Sequence, residues 1–345
     1  MKFITTGSII GQNNLISGNV NGLFNLDTYY IYKSLGNLNV VVGVINFDSL
    51  SFLRGSNERG PTSFSEAGYS TSEYEWLPDF ITFSDTGVQT FTIPRTGKYR
   101  INVAGARGGE GSTAGSPGAG ANIIGDFDLS SGQELNIIVG QSSSANGEGS
   151  GGGGGSFVWD KQTETPLIVA GGGGGVGDTF SGDANGVNAS TGTSGTRPRG
   201  GGPAGGQNGE GGGASSGGGG GGFLTDGSNG SRGQGGQAAL NGGLGGNSGR
   251  NSGGFGGGGG ENSSSDNEGG GGGGGYSGGG GGDGSNDQGG GGGGSFISNL
   301  ATNVTTSDGN FSTTGSEPHP TYSGPISNGS FNSSVQGFVI LTFLD

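Results

Sequence analysis

The sequence predicts an all-β protein: an antiparallel β-sandwich that carries a long glycine insertion and is preceded by a small β-rich N-terminal unit. Three observations predict it. Apolar and polar residues alternate in short runs bounded by Gly, Asn, Ser and Pro, the period-two pattern of half-buried strands. No segment carries the 3.6-residue apolar period of an amphipathic helix. Between Gly171 and Gly294 the chain is dominated by repeated glycine blocks, and strand-like sequence resumes beyond it.

The elements follow in order. In residues 1–55, Asp27 to Tyr32 and the apolar run Leu38 to Phe47 read as strands. Within that run Val40, Val41 and Val42 lack alternation, so both faces need cover. With Val44, Ile45 and Phe47 they are the candidate assembly residues, packing against the next domain or sister chains. Residues 56–78 turn polar and Gly/Ser-rich and read as a connector. Residues 79–345 form the main domain. Its strands 79–170 begin at Phe80 to Phe83, Gly87 to Pro94 and Thr96 to Ala106, with a Pro-x-x-Gly turn between the last two. Ala121 to Leu129, Glu134 to Val139, Ser156 to Trp159 and Leu167 to Ala170 follow. The insertion occupies 171–294. Closing strands in 295–345, at Ser295 to Ile297 and Gly337 to Leu344, need partners that only the strands before the insertion offer.

Glycine shapes the rest of the reading. The 345 residues include 94 glycines and only 10 prolines, with Gly in blocks such as Gly217 to Gly222 and Gly269 to Gly275. Collagen, which needs Gly at every third position with abundant Pro, is excluded. An isolated stretch of this kind is a flexible linker, but an unstructured loop of this length inside one domain is rare. Glycine loses the most backbone entropy on ordering, so an ordered block must be held by backbone hydrogen bonds. Polyproline-II-like glycine helices supply them. They rise about 3.1 Å per residue with all polar groups pointing outward, and they bond side by side where no Cβ intervenes.

Charge and composition exclude several functions. A net charge of −14 with 13 Lys and Arg argues against a nucleic-acid partner, which needs clustered basic residues. No cysteine is present, so thiolate metal sites and disulfides are unavailable. Residues 1–25 do not fit a secretory signal. No stretch approaches the roughly 20 apolar residues of a membrane span, so membrane insertion is not expected.

Four ordered motifs then resemble one family. They are Gly-Val-Gln-Thr-Phe-Thr-Ile-Pro (87–94), Gly-Lys-Tyr-Arg-Ile-Asn-Val-Ala-Gly-Ala-Arg-Gly-Gly (97–109), Gly-Gln-Glu-Leu-Asn-Ile-Ile-Val-Gly-Gln (132–141) and Leu-Ile-Val-Ala followed by five glycines (167–175). The chain resembles the glycine-rich domains of phage tail-fibre and other virion proteins, bacterial surface proteins and the membrane-proximal region of anaplastic lymphoma kinase. The resemblance implies a jelly-roll-like sandwich, similar to tumour necrosis factor, with an inserted bundle of polyglycine-II helices. It also implies a virion protein assembled in a host cytoplasm, a tail-fibre or tail-tip component. Residues 1–55 would then contact other virion proteins, a bacterial surface receptor would be the outer partner, and a homo-oligomer, a trimer as in fibres and spikes, is expected. Capsid decoration and a cellular surface protein are the alternatives.

Site chemistry is sparse. Gly213-Ala214-Ser215-Ser216-Gly217 fits a nucleophile-elbow pattern, but in a Gly/Ser tract the match is expected by chance, and the single histidine, His319, lies between prolines. No enzyme activity and no cofactor are expected. Asp283 and Asp287 stand in a sequence close to a calcium-binding β-roll repeat, which reads more simply as a turn. The candidate receptor-binding residues are those that break the glycine blocks: Arg197, Arg199, Phe223, Leu224, Arg232, Arg250, Phe255 and Tyr276. Aromatic and arginine side chains on a rigid support are typical binding anchors. The competing reading has Phe223, Phe255 and Tyr276 covering the flank of the bundle or contacting the sandwich.

Overall fold

The computed structural model describes residues 29–35, 38–45, 49–55, 59–69, 77–111, 115–143, 148–178, 182–248, 251–261, 268–307 and 336–344. The strands are β1 (Tyr29–Leu35), β2 (Leu38–Ile45), β3 (Ser49–Phe52), β4 (Ile81–Phe83), β5 (Gln89–Thr92), β6 (Gly97–Ala104), β7 (Asn122–Leu129), β8 (Glu134–Ile138), β9 (Ser156–Asp160), β10 (Thr165–Ala170), β11 (Phe296–Ile297), β12 (Thr302–Ser307) and β13 (Phe338–Phe343). A short helix, α1 (Phe64–Ala67), is capped by the Ser63 hydroxyl, which accepts from the Glu66 N–H.

Two antiparallel sheets pack face to face, as in a β-sandwich. One runs β12-β7-β6-β13-β3 and the other β11-β10-β9-β8-β5-β4. Alternation sends Tyr99, Ile101 and Val103 of β6 inward against Leu135, Ile137 and Val158 of the facing sheet. Arg100 is left on the outer face opposite Asp126 of β7. All of these apolar side chains are fully buried, each contributing about 1.5–3 kcal/mol relative to exposure.

The terminal strand does what its pattern requires, lying between β6 and β3. That pairing places β3 in the sandwich, although its residues fall within the stretch 1–55 read as a separate unit. Leu50 and Phe52 alternate with Ser49 and Ser51, and both apolar side chains enter the core. The stretch read as a connector also contributes. The Tyr69 hydroxyl donates to Gln89 Oε1 at 2.7 Å and accepts from the Leu53 N–H at 3.0 Å, while Gln89 Nε2 donates to the Leu53 carbonyl at 2.8 Å. This closed, buried triangle anchors both ends of 53–69 to β5. The β1–β2 hairpin is paired from Tyr29–Ile45 to Leu35–Leu38.

The two ends of the sandwich differ. At one end β5–β6, β7–β8 and β9–β10 are joined by short turns. At the other end, three adjacent antiparallel pairs are joined by glycine-rich segments: β6–β7 by 105–121, β8–β9 by 139–155 and β10–β11 by 171–295. Because Val169 pairs with Phe296, the long insertion leaves and re-enters the sheet at neighbouring points. The sequence reading confined the glycine structure to 171–294, and the fold adds the two shorter segments to it.

Candidate functional site

The glycine runs 171–177 and 217–222 carry no helix or strand pattern, yet their backbone groups are paired. The run 171–177 shows how. Its N–H groups bond in rotation to three neighbours: Gly172 and Gly175 donate to the carbonyls of Gly274 and Gly271, Gly174 and Gly177 to Val187 and Ala184, and Gly173 to Ala106. Its carbonyls accept in the same rotation, from Gly293 and Gly290, from Ala121 and Gly118, and from Gly153 and Ser150. Six segments therefore surround one run, and a given neighbour is revisited every third residue. The run 217–222 repeats the arrangement: Gly217 and Gly220 donate to Gly282 and Gly279, Gly218 and Gly221 to Gly260 and Gly257, and Gly219 and Gly222 to Ser228 and Thr225, all at 2.7–3.0 Å.

This geometry explains why the central runs are pure glycine. A Cβ added at Gly174 would lie within 3.0 Å of the Gly290 carbonyl, and one at Gly220 within 3.0 Å of the Gly273 carbonyl. No side chain fits between segments that approach this closely. Outer segments need glycine only where they face inward. Gly206, Gly209 and Gly212 are buried, while Gln207, Asn208 and Glu210 between them are exposed. Gly227, Gly230, Gly233 and Gly236 keep the same spacing, with Ser228, Asn229, Ser231 and Arg232 facing solvent.

The bundle rests on the outer face of the six-stranded sheet. Ile138, Phe157, Trp159 and Val169 of that face form one buried cluster with Phe223, Phe255 and Ala239 of the bundle, flanked by Leu240, Leu244, Tyr276 and Phe296. Phe223 meets Trp159 edge-on, with ring centroids 6.0 Å apart, an arrangement aromatic rings favour. Tyr276 is stacked between Phe223 and Phe296, at 6.5 and 4.6 Å.

These positions correct part of the recognition reading. Phe223 and Phe255 are 1% exposed, so they are docking residues of the bundle and cannot anchor a partner, and Tyr276 is half-buried among them. Breaks in a glycine block mark either an outer tip or an inner seam, and composition alone does not separate the two. Arg197, Arg199, Leu224 and Arg232 are exposed. Arg250 and Phe47 lie outside the described residues, whereas Val40, Val41, Val42, Val44 and Ile45 fall in β2.

The remaining candidates resolve locally. Asp283 Oδ1 accepts from the Ser285 N–H and hydroxyl, and Oδ2 accepts from Asn286 Nδ2, capping a single turn that ends at Asp287 in a left-handed conformation. Ser215 lies in the outer bundle, where its carbonyl accepts from the Ser231 N–H, and His319 lies outside the described residues. The sequence reading missed a second acidic group: carboxylate oxygens of Glu148, Asp178 and Glu268 lie within 4.8 Å of one another and could hold a cation. Only the folding of the bundle brings these three together, so no local motif announces them. On the outer face of the five-stranded sheet, Arg100 grips Asp126 through two bonds of 2.8 and 3.0 Å, and Asn303 adds a third of 2.8 Å. The hydrogen bonds from Arg100 hold the Asp126 carboxyl below the usual carboxylate range.

No family model matches the chain, and no curated protein matches it in sequence. Among the described residues no helix is long and apolar enough to cross a membrane.

Proposed function

We propose that the chain is a non-enzymatic structural protein of a bacteriophage particle, a tail-fibre or tail-tip component that presents a rigid glycine-rich surface to the host. In this reading the glycine segments are polyglycine-II helices and the sandwich is of the jelly-roll, tumour-necrosis-factor-like kind. The observation that carries it is the six-fold backbone bonding of Gly171 to Gly177. A lattice of this kind is stiff without a large apolar core, because adjacent segments hold one another through paired N–H and C=O groups. Side chains at its outer turns are therefore free to vary without disturbing the fold. That combination suits a recognition surface, since binding residues are commonly placed on loops supported by a rigid scaffold.

The β1–β2 hairpin, which precedes the first strand of the sandwich, is the element assigned to docking on other virion proteins, within a homotrimer. Immunogold labelling of intact particles with antibody to residues 79–345 tests the assignment. Label at the tail tip or fibres is the expected result. Label spread over the capsid would replace it with a decoration role, and no label on any particle would leave a cellular surface protein.

A further inference from the structure

One edge of the five-stranded sheet is open. The sheet runs β12-β7-β6-β13-β3, and β12 pairs with β7 alone among the described residues. All six residues of β12 are exposed. None is charged and none is proline, although lysine and proline are the usual guards of an edge strand. Its one guard is a bulge between Thr302 and Thr305, with Asn303 at a φ of +51°, and regular pairing with β7 resumes from Thr305. Leu300 and Val304 are two of the three large apolar side chains exposed among the described residues. An open ladder and apolar surface therefore coincide on this strand. It is also the longest of the four sandwich edges, six residues against four in β3, three in β4 and two in β11.

The same chain holds a strand with the complementary need. The β1–β2 hairpin is a sheet of two strands that pairs with no other strand among the described residues, an arrangement only marginally stable by itself in water. β2 is uncharged, whereas β1 carries Lys33. Val40, Val41 and Val42 occupy successive positions of β2, which places apolar residues on both faces of the strand. Pairing of β2 with β12 inside one chain is barred by reach. Only residues 46–48 separate β2 from β3, and an extended chain from Ile45 to Ser49 spans at most about 14 Å. β3 and β12 are the opposite edges of the sheet, so a strand laid outside β12 lies roughly 24 Å from β3.

We infer that β12 is the docking edge for β2 of a second copy of this chain, so that each hairpin extends the five-stranded sheet of its neighbour. Backbone hydrogen bonds along the new ladder supply the affinity, as in other strand additions. The valines of β2 meet the apolar surface at Leu300 and Val304, and its burial adds to the ladder. An uncharged seam suits a chain with a net charge of −14, whose copies otherwise repel one another. The contact joins two different surfaces, hairpin on one copy and β12 on the next, and such head-to-tail contacts generate rings when the rotation closes. The inference rests on the homotrimer proposed above only for the number of copies, and it leaves the outer edge of β1 to other virion proteins.

Analytical ultracentrifugation of the full chain tests the seam from both sides. Wild type should sediment as an assembly. Val304→Lys combined with Thr306→Lys on β12, and separately Val41→Lys on β2, should sediment as monomers at concentrations where wild type is assembled. The β12 changes fall on exposed positions, so the far-UV circular dichroism should stay that of wild type. A second measurement places the contact. The chain has no cysteine, so a nitroxide attached to Lys33→Cys, one strand away from β2 opposite Val40, is the only label. Mixed with ¹⁵N-labelled wild type, it should broaden the amides of Val304 to Thr306 in the labelled copy more strongly than that of Leu50 in β3. The inference is overturned by a chain that stays monomeric at every soluble concentration, by assembly that survives the paired β12 lysines, or by broadening centred on Leu50. Assembly through this seam in a number other than three supports it and removes the trimer from the proposed function. Purified chain is used throughout, so a monomeric result leaves the virion assignment to the labelling experiment, and a negative labelling result leaves the seam standing.

Discussion

Phe223 and Trp159 lie edge to face, 6.0 Å between ring centroids, and join a glycine segment to the outer face of the six-stranded sheet. Phe223 is flanked by Gly222 and Leu224, and the contrast with Leu224, 51% exposed, sets up the first prediction. Phe223→Ala should cost about 3–5 kcal/mol, as truncation of buried aromatics does, whereas Leu224→Ala should fall within about 0.5 kcal/mol of wild type. Thermal melts supply the numbers. In a Trp76→Phe background, Trp159 fluorescence should respond to the first change and not the second.

Glycine is required at some positions of the bundle and is optional at others. Gly220→Ala forces a methyl group against the Gly273 carbonyl and should destabilise by about 1–3 kcal/mol or more, the range for overpacking. Gly192 is exposed, and a Cβ there would meet only the Ser190 hydroxyl oxygen at 3.4 Å. Gly192→Ala should be neutral, or stabilising by up to about 1 kcal/mol through the unfolded state. Urea unfolding of the two variants side by side decides the matter.

Much of the sandwich was legible because its strands alternate. Tyr99, Ile101 and Val103 announce β6, and Val339 and Leu341 announce a terminal strand in search of partners. β12 was not legible: Thr302 to Ser307 are all exposed, so no apolar period marks an edge strand held by backbone pairing to β7. β3 was hidden by its brevity and by its distance from Val339, with which Phe52 pairs. The seam was equally hidden, since Phe223 and Phe255 interrupt glycine as any surface loop would. One unused signal was present. Glycine at 227, 230, 233 and 236 marks a three-residue screw with a single inward face, and it distinguishes outer segments from the pure-glycine interior.

The Asp126–Arg100 pair predicts acid sensitivity. The Asp126 carboxyl is held below its ordinary value in the fold, so its contribution is present above the unfolded value of about 3.9 and is lost as pH falls through the lower folded value. Asp126→Asn should flatten the fall in melting temperature below about pH 4 relative to wild type. Arg100→Ala leaves a buried carboxylate with fewer donors and should cost about 1–3 kcal/mol at pH 7.

Tyr69 makes the opposite prediction at high pH. Burial pushes its hydroxyl well above the usual tyrosine range, so the neutral form stabilises the fold below about pH 10 and this contribution is lost as pH rises. Tyr69→Phe should remove that alkaline limb. At neutral pH it should cost about 1–3 kcal/mol, because the Leu53 N–H and Gln89 Oε1 lose their shared partner.

The central claim is that the glycine segments are held by their own backbone, and amide hydrogen exchange tests it most directly. The account predicts that Gly172, Gly174, Gly220 and Gly273, whose N–H groups bond at 2.7–3.0 Å, exchange at least about a thousandfold more slowly than an unstructured chain, alongside Ile101 and Val158 of the sandwich. Exchange of those four glycines at the unstructured rate, with Ile101 and Val158 still protected, would contradict it.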